Sequence, residues 1–106
     1  MDEVIAPYKV VLVFNLKPGS ADEELRRSAR ENSFPNQLAR EPGCLGLELV
    51  KVNADRTMSI QTWRSERDWW AALNAVKQTQ ESTPEAATDT ILVSRDFFGG
   101  PVVSLR

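Results

Sequence analysis

The chain has 106 residues, a formal net charge of −2 and a pI near 5.1, and its length predicts a single domain over residues 1–106. Phosphate backbones are held by clustered Lys and Arg, so this charge argues against a nucleic-acid-binding protein. There is no histidine and one cysteine, which removes the usual ligand sets of metal and haem sites and the base of Ser-His or Cys-His catalysis. We therefore expect no metal and no other cofactor.

The sequence also predicts a cytoplasmic protein without a membrane partner. A single cysteine, Cys44, fits a reducing compartment in which disulfides are rare. The start MDEVIAPYK lacks the positively charged segment of a secretory signal. The longest strongly apolar run, VVLVF, is far shorter than the roughly 20 residues needed to cross a bilayer.

The chain opens with the pattern of a strand followed by a helix. Residues 8–16 are rich in β-branched and aromatic side chains and are apolar on both faces, as in a strand buried on both sides. Ser20 and Glu23 have the spacing of a capping box, which predicts the start of a helix. We expect this helix to end near Ser33, because Pro35 should break it, and a shorter turn to follow.

A hairpin is predicted next. Residues 44–52 alternate, with the three leucines at 45, 47 and 49 on one face and Cys44 and Glu48 on the other. Residues 53–56 have turn composition, and residues 57–63 return as a third strand.

The remaining pattern is a helix and a final strand. Ser65 and Asp68 resemble an N-cap pair that opens a helix. The apolar face of that helix comprises Trp69, Leu73 and Val76. Thr83-Pro84 is typical of one further short turn. The last strand is expected over residues 90–98, so that the core spans about 8–98 and residues 99–106 form a short tail, of which residues 102–105 are expected to pack on a partner.

The order strand, helix, strand, strand, helix, strand predicts an α+β fold, the ferredoxin-like βαββαβ sandwich. Both helices should cover one face of its sheet, yet the first two strands carry apolar side chains on the other face as well. An uncovered apolar sheet face indicates a recognition surface. We therefore expect a homodimer in which two sheets meet face to face.

Three segments, FNLKPGSADE, EPGCLGLELVKV and TWRSERDWWAAL, resemble the antibiotic biosynthesis monooxygenase domain family, whose members form a dimeric α/β barrel. The resemblance spans about Lys9 to Phe97. It implies a pocket between sheet and helices in each protomer and, in some members, cofactor-free oxidation of phenols or anthrones to quinones by dioxygen. A second branch of the superfamily degrades haem with a histidine as iron ligand, and this chain has no histidine.

Candidate site residues follow from the resemblance and from the strand pattern together. By the resemblance, Trp63 is the tryptophan that ends the third strand and borders the substrate, and Trp69 falls where such members can carry a tyrosine. Ser59 stands where an asparagine can serve the chemistry. Trp63 also shares its strand face with Ser59 and Gln61, and an aromatic surface beside a few polar groups is typical of a pocket wall. Alternatively, Trp63 is a partly buried tryptophan whose indole N–H is satisfied by a neighbour, and Trp69 belongs to the core with Leu73 and Val76.

Two further residues are candidates for the same site. Asn15 is polar among valines and could orient a substrate, or it could be a satisfied strand amide. Arg64 could hold an anionic oxygen, or it could be a solvated residue between strand and helix. We assign catalysis to Trp63, Ser59 and Asn15. The predicted substrate-binding residues are Trp63, Trp69, Gln61 and Arg64.

Three other side chains keep alternative interpretations. Glu48 could act as a base if its sheet face is buried, because burial raises the pKa of a carboxyl, or it could be an ordinary exposed strand residue. Cys44 is predicted to be a small buried apolar residue. Trp70 is expected at the edge of the helix or at the dimer seam.

The first functional hypothesis is thus a cofactor-independent monooxygenase acting on a small or polycyclic aromatic. Its alternative is a non-catalytic dimeric module that binds a small molecule or regulates a partner. The serine at position 59 motivates the alternative, because the family can carry an asparagine there.

Overall fold

A computed structural model describes residues 7–81 and 91–103, which form a four-stranded antiparallel sheet and helices in a ferredoxin-like α+β fold. The elements in chain order are β1 (Tyr8–Leu16), α1 (Ala21–Ser28), α2 (Phe34–Ala39), β2 (Cys44–Asn53), β3 (Arg56–Trp63), α3 (Glu66–Glu81) and β4 (Leu92–Pro101). The strand order β2-β3-β1-β4 places β3 and β1 in the centre of the sheet. The predicted fold class is confirmed. Within the described ranges, no helix is long and apolar enough to cross a membrane.

The helical segment after β1 is divided into two helices, where the sequence predicted one helix to about Ser33 and a shorter turn after it; the region of that turn is the helix α2. α1 already ends at Ser28, and Ser33 is the N-cap of α2. The Ser33 hydroxyl accepts a hydrogen bond from the Asn36 amide at 3.3 Å and donates one to the Ser28 carbonyl at 2.6 Å. Pro35 therefore lies in the first turn of α2, where its missing N–H removes no helical hydrogen bond.

The capping box expected at the start of α1 does not form. Ser20 has helical backbone angles and makes no side-chain cap hydrogen bond. The Glu23 carboxylate, which the box would direct to the Ser20 amide, instead pairs with Arg26 and Arg27. Asp22 pairs with Lys51 of β2 at 2.9 Å, so the acidic first turn still complements the helix dipole.

A β-bulge in β2 reverses the predicted position of Cys44. Cys44 is the pairing partner of Trp63, whereas Gly46 pairs with the residue before it, so Leu45 is the extra residue. Cys44 consequently lies on the same sheet face as Leu47, and the simple alternation predicted the opposite. It packs against the hydrophobic core, and burial raises the pKa of its thiol.

The last strand continues through the glycine pair that was expected to end it. Gly99 pairs with Val10, Gly100 pairs with Lys9, and β4 ends at Pro101. Residues 99–101 are therefore part of the sheet and not of a tail. The short turn predicted at Thr83-Pro84 lies outside the described residues.

The two faces of the sheet have different environments. The helices pack on one face, here called the inner face, and the other is called the outer face. The buried core on the inner side consists of Tyr8, Val10, Leu38, Trp63, Trp69, Ala72 and Val76. The sheet and the helices thus enclose side chains on the inner face, and a site between them would lie there.

Candidate functional site

Strand pairing arranges the inner face as rows of side chains that run across β2, β3, β1 and β4. The four rows are Cys44–Trp63–Tyr8–Pro101, Leu47–Gln61–Val10–Gly99, Leu49–Ser59–Leu12–Phe97 and Lys51–Thr57–Phe14–Arg95. In the two middle rows the polar side chain belongs to β3 and its neighbours are apolar or glycine. β3 therefore carries a polar strip through an otherwise largely apolar surface.

The polar strip is internally hydrogen-bonded. The Trp63 indole Nε1 donates to Gln61 Oε1 at 2.9 Å, and Gln61 Nε2 donates to Ser59 Oγ at 3.0 Å. All three side chains are buried. Residues two apart on a strand point to the same face, so the order Ser-x-Gln-x-Trp dictates this chain of bonds. Since Ser59 accepts from Gln61, the hydrogen of its hydroxyl is left to donate.

Two more buried polar atoms lie in the same region. Thr57 Oγ1, two residues before Ser59, and Trp69 Nε1 have no hydrogen-bond partner among the described residues. A buried polar group left unpaired costs about 1–3 kcal/mol, and such groups in native proteins usually have a water or ligand as partner. These atoms are therefore candidate contacts to a bound molecule.

An aromatic wall adjoins the polar strip. α3 begins at Glu66 behind Ser65, whose Oγ accepts from the Asp68 amide at 3.1 Å, and this cap places Trp69 in the first turns over the sheet. The Trp69 ring lies 5.6 Å from that of Trp63, centroid to centroid, and stacks on Phe97 of β4 at 6.0 Å and 17°. Phe97 is 45% exposed, so the wall extends from the core to the surface.

Tyr8 adds a hydroxyl at the edge of this region. Its ring is buried in the row of Trp63, and its Oη lies 2.6 Å from the point where a Cβ on Gly99 would stand. The hydroxyl therefore occupies space that only a glycine leaves free. Burial, and next the negative charge of Glu66, raise the pKa of Tyr8, so the phenol is a neutral donor at neutral pH.

The structure brings four of the predicted site residues together and separates two. Trp63, Gln61, Ser59 and Trp69 form the strip and the wall described above. Asn15 lies on the outer face, because its partners in the sheet continue the series of outer residues.

The surroundings of Asn15 explain why it is not part of the inner site. Its amide nitrogen donates to Ser94 Oγ at 3.0 Å and to Asp96 Oδ2 at 3.3 Å, and its Oδ1 accepts from Arg56 Nε at 2.8 Å. The prediction that Asn15 joins Trp63 and Ser59 is therefore corrected: it is a satisfied strand amide. Glu48 pairs with Ile60, also on the outer face, and its side chain is exposed.

Arg64 is likewise directed elsewhere. Its guanidinium is exposed and binds the Asp68 carboxylate through Nε at 2.8 Å and through a second nitrogen at 3.2 Å. These hydrogen bonds lower the pKa of Asp68, as does the bond from Ser65, and raise the pKa of Arg64. Arg64 thus stabilises the junction between β3 and α3, and the structure does not place it with the polar strip.

Three inner-face residues were missed by the sequence analysis: Tyr8, Phe97 and Arg95. Each of them lies on β1 or β4, and these two strands are far apart in the chain although they pair in the sheet. The alternation of residues 94–98 could have suggested that Arg95 and Phe97 share a face. It could not have shown that this is the face of Trp63.

No group of three or more Cys, Asp or Glu side chains close enough to hold a metal ion occurs in residues 7–81 and 91–103. The polar strip itself offers hydroxyl, amide and indole groups, which are donors and neutral acceptors. Its side chains can donate and accept hydrogen bonds without carrying a charge.

The family model described as antibiotic biosynthesis monooxygenase matches residues 7–82. No curated protein sequence matches. Among solved structures, MhuD with two manganese protoporphyrin IX bound per active site has a TM-score of 0.75 at 16% identity, with 93% of this chain and 97% of that chain covered.

Two Streptomyces proteins are similar in the same way. The ActVA-Orf6 monooxygenase of Streptomyces coelicolor, in complex with nanaomycin D, has a TM-score of 0.71 at 13% identity over 95% of this chain and 91% of its own. SnoaB from Streptomyces nogalater, a cofactor-independent oxygenase, has a TM-score of 0.69 at 18% identity over 94% and 96%. At these identities the likeness concerns the fold.

Proposed function

The chain belongs to the antibiotic biosynthesis monooxygenase family, and on that premise we propose that it is a cofactor-independent monooxygenase. Its substrate would be a small or polycyclic aromatic of the phenol or anthrone type, oxidised by dioxygen. The similarity to SnoaB and to the nanaomycin-bound ActVA-Orf6 protein supports this reaction class.

The observation that carries the proposal is the bonded strip from Trp63 to Ser59, together with the unpaired Thr57 Oγ1 and Trp69 Nε1. Preorganised donors in a buried site stabilise negative charge far better than water does, because they need not reorient. An aromatic substrate stacked on Phe97 could direct its oxygen toward these donors. The three side chains of the strip and the neighbouring Thr57 are neutral, so this region favours anion stabilisation over proton abstraction.

The reaction needs no redox group on the protein. A substrate CH₂ flanked by aromatic rings loses one proton to a solvent base, and the resulting enolate transfers an electron to O₂. The two radicals combine to form a C–O bond, which gives a hydroperoxide. Loss of water from the hydroperoxide leaves a carbonyl, so one oxygen atom ends in the product and the other in water. The protein's part is to bind, orient and stabilise the anion.

Oxygen uptake by the purified protein, kept in chelator, with a panel of anthrones and hydroquinones tests the proposal. Removing one donor to a developing oxyanion costs roughly 10²-fold in kcat, and Ser59→Ala should show a loss of that order. Ser20→Ala makes the same change at a serine whose side chain makes no cap hydrogen bond, and it should leave the initial rate unchanged. A rate equal to buffer with every substrate would reject catalysis.

The alternative is a module that binds an aromatic without converting it. Ser59 in place of the asparagine that the family can carry, and the neutral side chains of the strip, favour this second function. Quenching of tryptophan fluorescence by a ligand that is recovered unchanged, without oxygen uptake, would support it over the first.

We also propose that the chain forms a homodimer through the outer face. The apolar residues of this face are Val11, Val13, Val50, Met58, Ile60 and Phe98. Phe98 is exposed and the others are only half-buried in the single chain, and an apolar patch of this kind is typical of an interface. Face-to-face pairing of two such sheets would cover it symmetrically.

A further inference from the structure

The three tryptophans of the chain lie in one contiguous row. The Trp63 and Trp69 ring centroids are 5.6 Å apart, and those of Trp69 and Trp70 are 6.3 Å apart. Both separations are within the contact range of aromatic pairs. Trp63 and Trp69 are 0% and 1% exposed, whereas Trp70 is 46% exposed. The row therefore runs from the buried polar strip to the protein surface.

The outer end of the row has a feature that the inner end lacks. Trp70 Nε1 donates a hydrogen bond to the Glu66 carboxylate at 3.1 Å, whereas Trp63 Nε1 donates to the neutral amide oxygen of Gln61. A carboxylate can accept the indole proton when that indole is oxidised, and an amide oxygen cannot hold it at neutral pH.

We propose that Trp63, Trp69 and Trp70 form an electron-transfer route that carries an oxidising equivalent from the buried site to the surface. The route is a property of the three rings and of Glu66. Its use during oxygen chemistry rests on the proposed function, in which radicals are formed beside Trp63.

The environments of the rings give the transfer a direction. An indole radical cation carries a positive charge, and such a charge is costly in an apolar interior without a compensating partner. At Trp70 the charge is hydrated and lies beside the negative Glu66. Trp69, whose Nε1 has no partner among the described residues, offers the charge no stabilisation, so it serves as a bridge between the other two rings.

Each step of the route balances. A one-electron oxidant in the site, such as the peroxyl radical that forms when the substrate radical adds O₂, takes an electron from Trp63 and becomes a closed-shell peroxide anion. Trp69 then reduces Trp63, and Trp70 reduces Trp69. Oxidised Trp70 transfers its indole proton to Glu66, which leaves a neutral indolyl radical at the surface. An external thiol or ascorbate supplies one electron and, together with the proton, restores Trp70.

Packing alone does not account for this arrangement. The face of α3 that packs on the core consists of Trp69, Ala72 and Val76, which are buried. Trp70 is adjacent to Trp69 in sequence, lies outside that face and is 46% exposed, so its indole is not needed to fill the core. Its contact with the Trp69 ring and with Glu66 is what the electron-transfer route requires.

The route can be tested by flash–quench oxidation without any substrate or oxygen. A ruthenium polypyridyl photosensitiser is attached to the thiol introduced by Leu45→Cys in a Cys44→Ala background, because Leu45 is exposed and lies beside the residue that pairs with Trp63. A cobalt(III) ammine quencher converts the excited label into a one-electron oxidant. The visible absorption of the neutral indolyl radical is then followed in time.

The labelled parent should form a long-lived neutral radical, and Trp70→Phe should lose it. Glu66→Gln, which keeps a hydrogen-bond acceptor but cannot hold the proton, should prolong the radical cation at the expense of the neutral radical. Trp69→Phe should lower the yield although Trp70 is present, with circular dichroism confirming that this variant folds.

An unchanged neutral-radical signal in Trp70→Phe would overturn the proposal, and that exposed substitution carries little risk to folding. An unchanged yield in Trp69→Phe would show direct oxidation of Trp70 by the label and would also overturn it. Because neither substrate nor oxygen is present, a protein that fails to oxidise any aromatic can still pass this test, and the two proposals fail separately.

Discussion

At the scale of single residues, the candidate site depends on buried polar side chains that are hydrogen-bonded to one another. Gln61 accepts from one neighbour on its strand and donates to the other, so its amide orientation is fixed by Trp63 and Ser59. Buried networks of this kind are stabilising when complete and costly when one member is removed. The same rigidity would hold the Ser59 hydroxyl in place for a ligand.

Gln61→Leu should therefore lower the free energy of unfolding. The substitution leaves the Trp63 Nε1 hydrogen without its acceptor, and an unpaired buried donor costs about 1–3 kcal/mol. Urea denaturation measures the change, and Gln78→Leu on the exposed side of α3 is the control with the same change of residue type. Equal stabilities of the two variants would contradict the role given to Gln61.

Tyr8 offers a pH-dependent prediction at the same scale, since it is the only tyrosine in the chain. Its pKa is raised by burial and by Glu66, so ultraviolet titration of the folded protein should give a phenol midpoint above the ordinary value of about 10, to which it returns in urea. The folded state holds this proton more tightly than the unfolded state. Stability from this group is therefore full below pH of about 10 and is lost as the pH rises toward the folded pKa. A midpoint at or below the value in urea would refute the effect.

At the scale of elements, two of the three segments that carried the family resemblance, EPGCLGLELVKV and TWRSERDWWAAL, are joined to each other. The Arg64 amide donates to the Gly43 carbonyl at 2.8 Å, which joins the loop before β2 to the end of β3. Gly43 has φ +90, and a Cβ there would lie 2.6 Å from the Asp68 Cβ. The loop thus packs against the first turn of α3, which positions Trp69 over the sheet.

Gly43→Ala should be more destabilising than Gly19→Ala. Both glycines have positive φ, at +90 and +77, but nothing lies within 4 Å of the Cβ position at Gly19. The left-handed conformation alone costs about 1–2 kcal/mol for a residue with a Cβ, and only Gly43→Ala adds the steric conflict with Asp68. Thermal or urea unfolding of the pair gives the difference, and equal losses would mean that the loop moves away at no cost.

At the scale of the whole molecule, the two central strands give the outer face an apolar centre between polar ends, and Glu48 of β2 and Asp96 of β4 place one carboxylate on each edge strand. Lys9 donates a hydrogen bond to Thr62 at one end of the central strands. At the other end, Arg56 donates a hydrogen bond to Asn15. Such an arrangement leaves the middle of the face for a partner of similar character, as the proposed dimer requires.

Val11→Lys should convert the proposed dimer into a monomer, because Val11 lies between Ile60 and Phe98 on the outer face and a lysine there would be buried in an apolar interface without a partner. Sedimentation should give about twice 11.9 kDa for the parent and the single-chain mass for the variant. Ala71→Lys adds the same charge on the exposed side of α3 and should leave the mass unchanged. A parent that sediments as a monomer at micromolar concentration would reject the dimer.

Features that depend only on neighbouring residues of one strand could be predicted from the sequence. The alternation of Ser59, Gln61 and Trp63 was enough to predict their common face, because strand geometry fixes it. The same rule failed for Cys44, since one extra residue at Leu45 reverses the alternation, and bulges leave little trace in sequence.

The predictions for Asn15 and Pro35 were wrong for other reasons. The first strand is apolar on both faces, so its pattern could not tell which face the helices cover, and Asn15 was included among the site residues although it lies on the other face. Pro35 was interpreted as the end of a helix, but a proline is equally compatible with the first turn of the next helix. The neighbours of Tyr8 and Phe97 depend on pairing between the two ends of the chain, which local patterns do not encode.

The grouping of Trp63, Trp69, Trp70 and Tyr8 has a practical consequence. These four residues are all the tryptophans and the only tyrosine in the chain, so fluorescence and near-ultraviolet circular dichroism report chiefly on one small region. An optical melting curve of this protein follows the opening of the candidate site, whereas far-ultraviolet circular dichroism follows the backbone as a whole. Coincidence of the two curves would mean that the site and the sheet unfold as one cooperative unit.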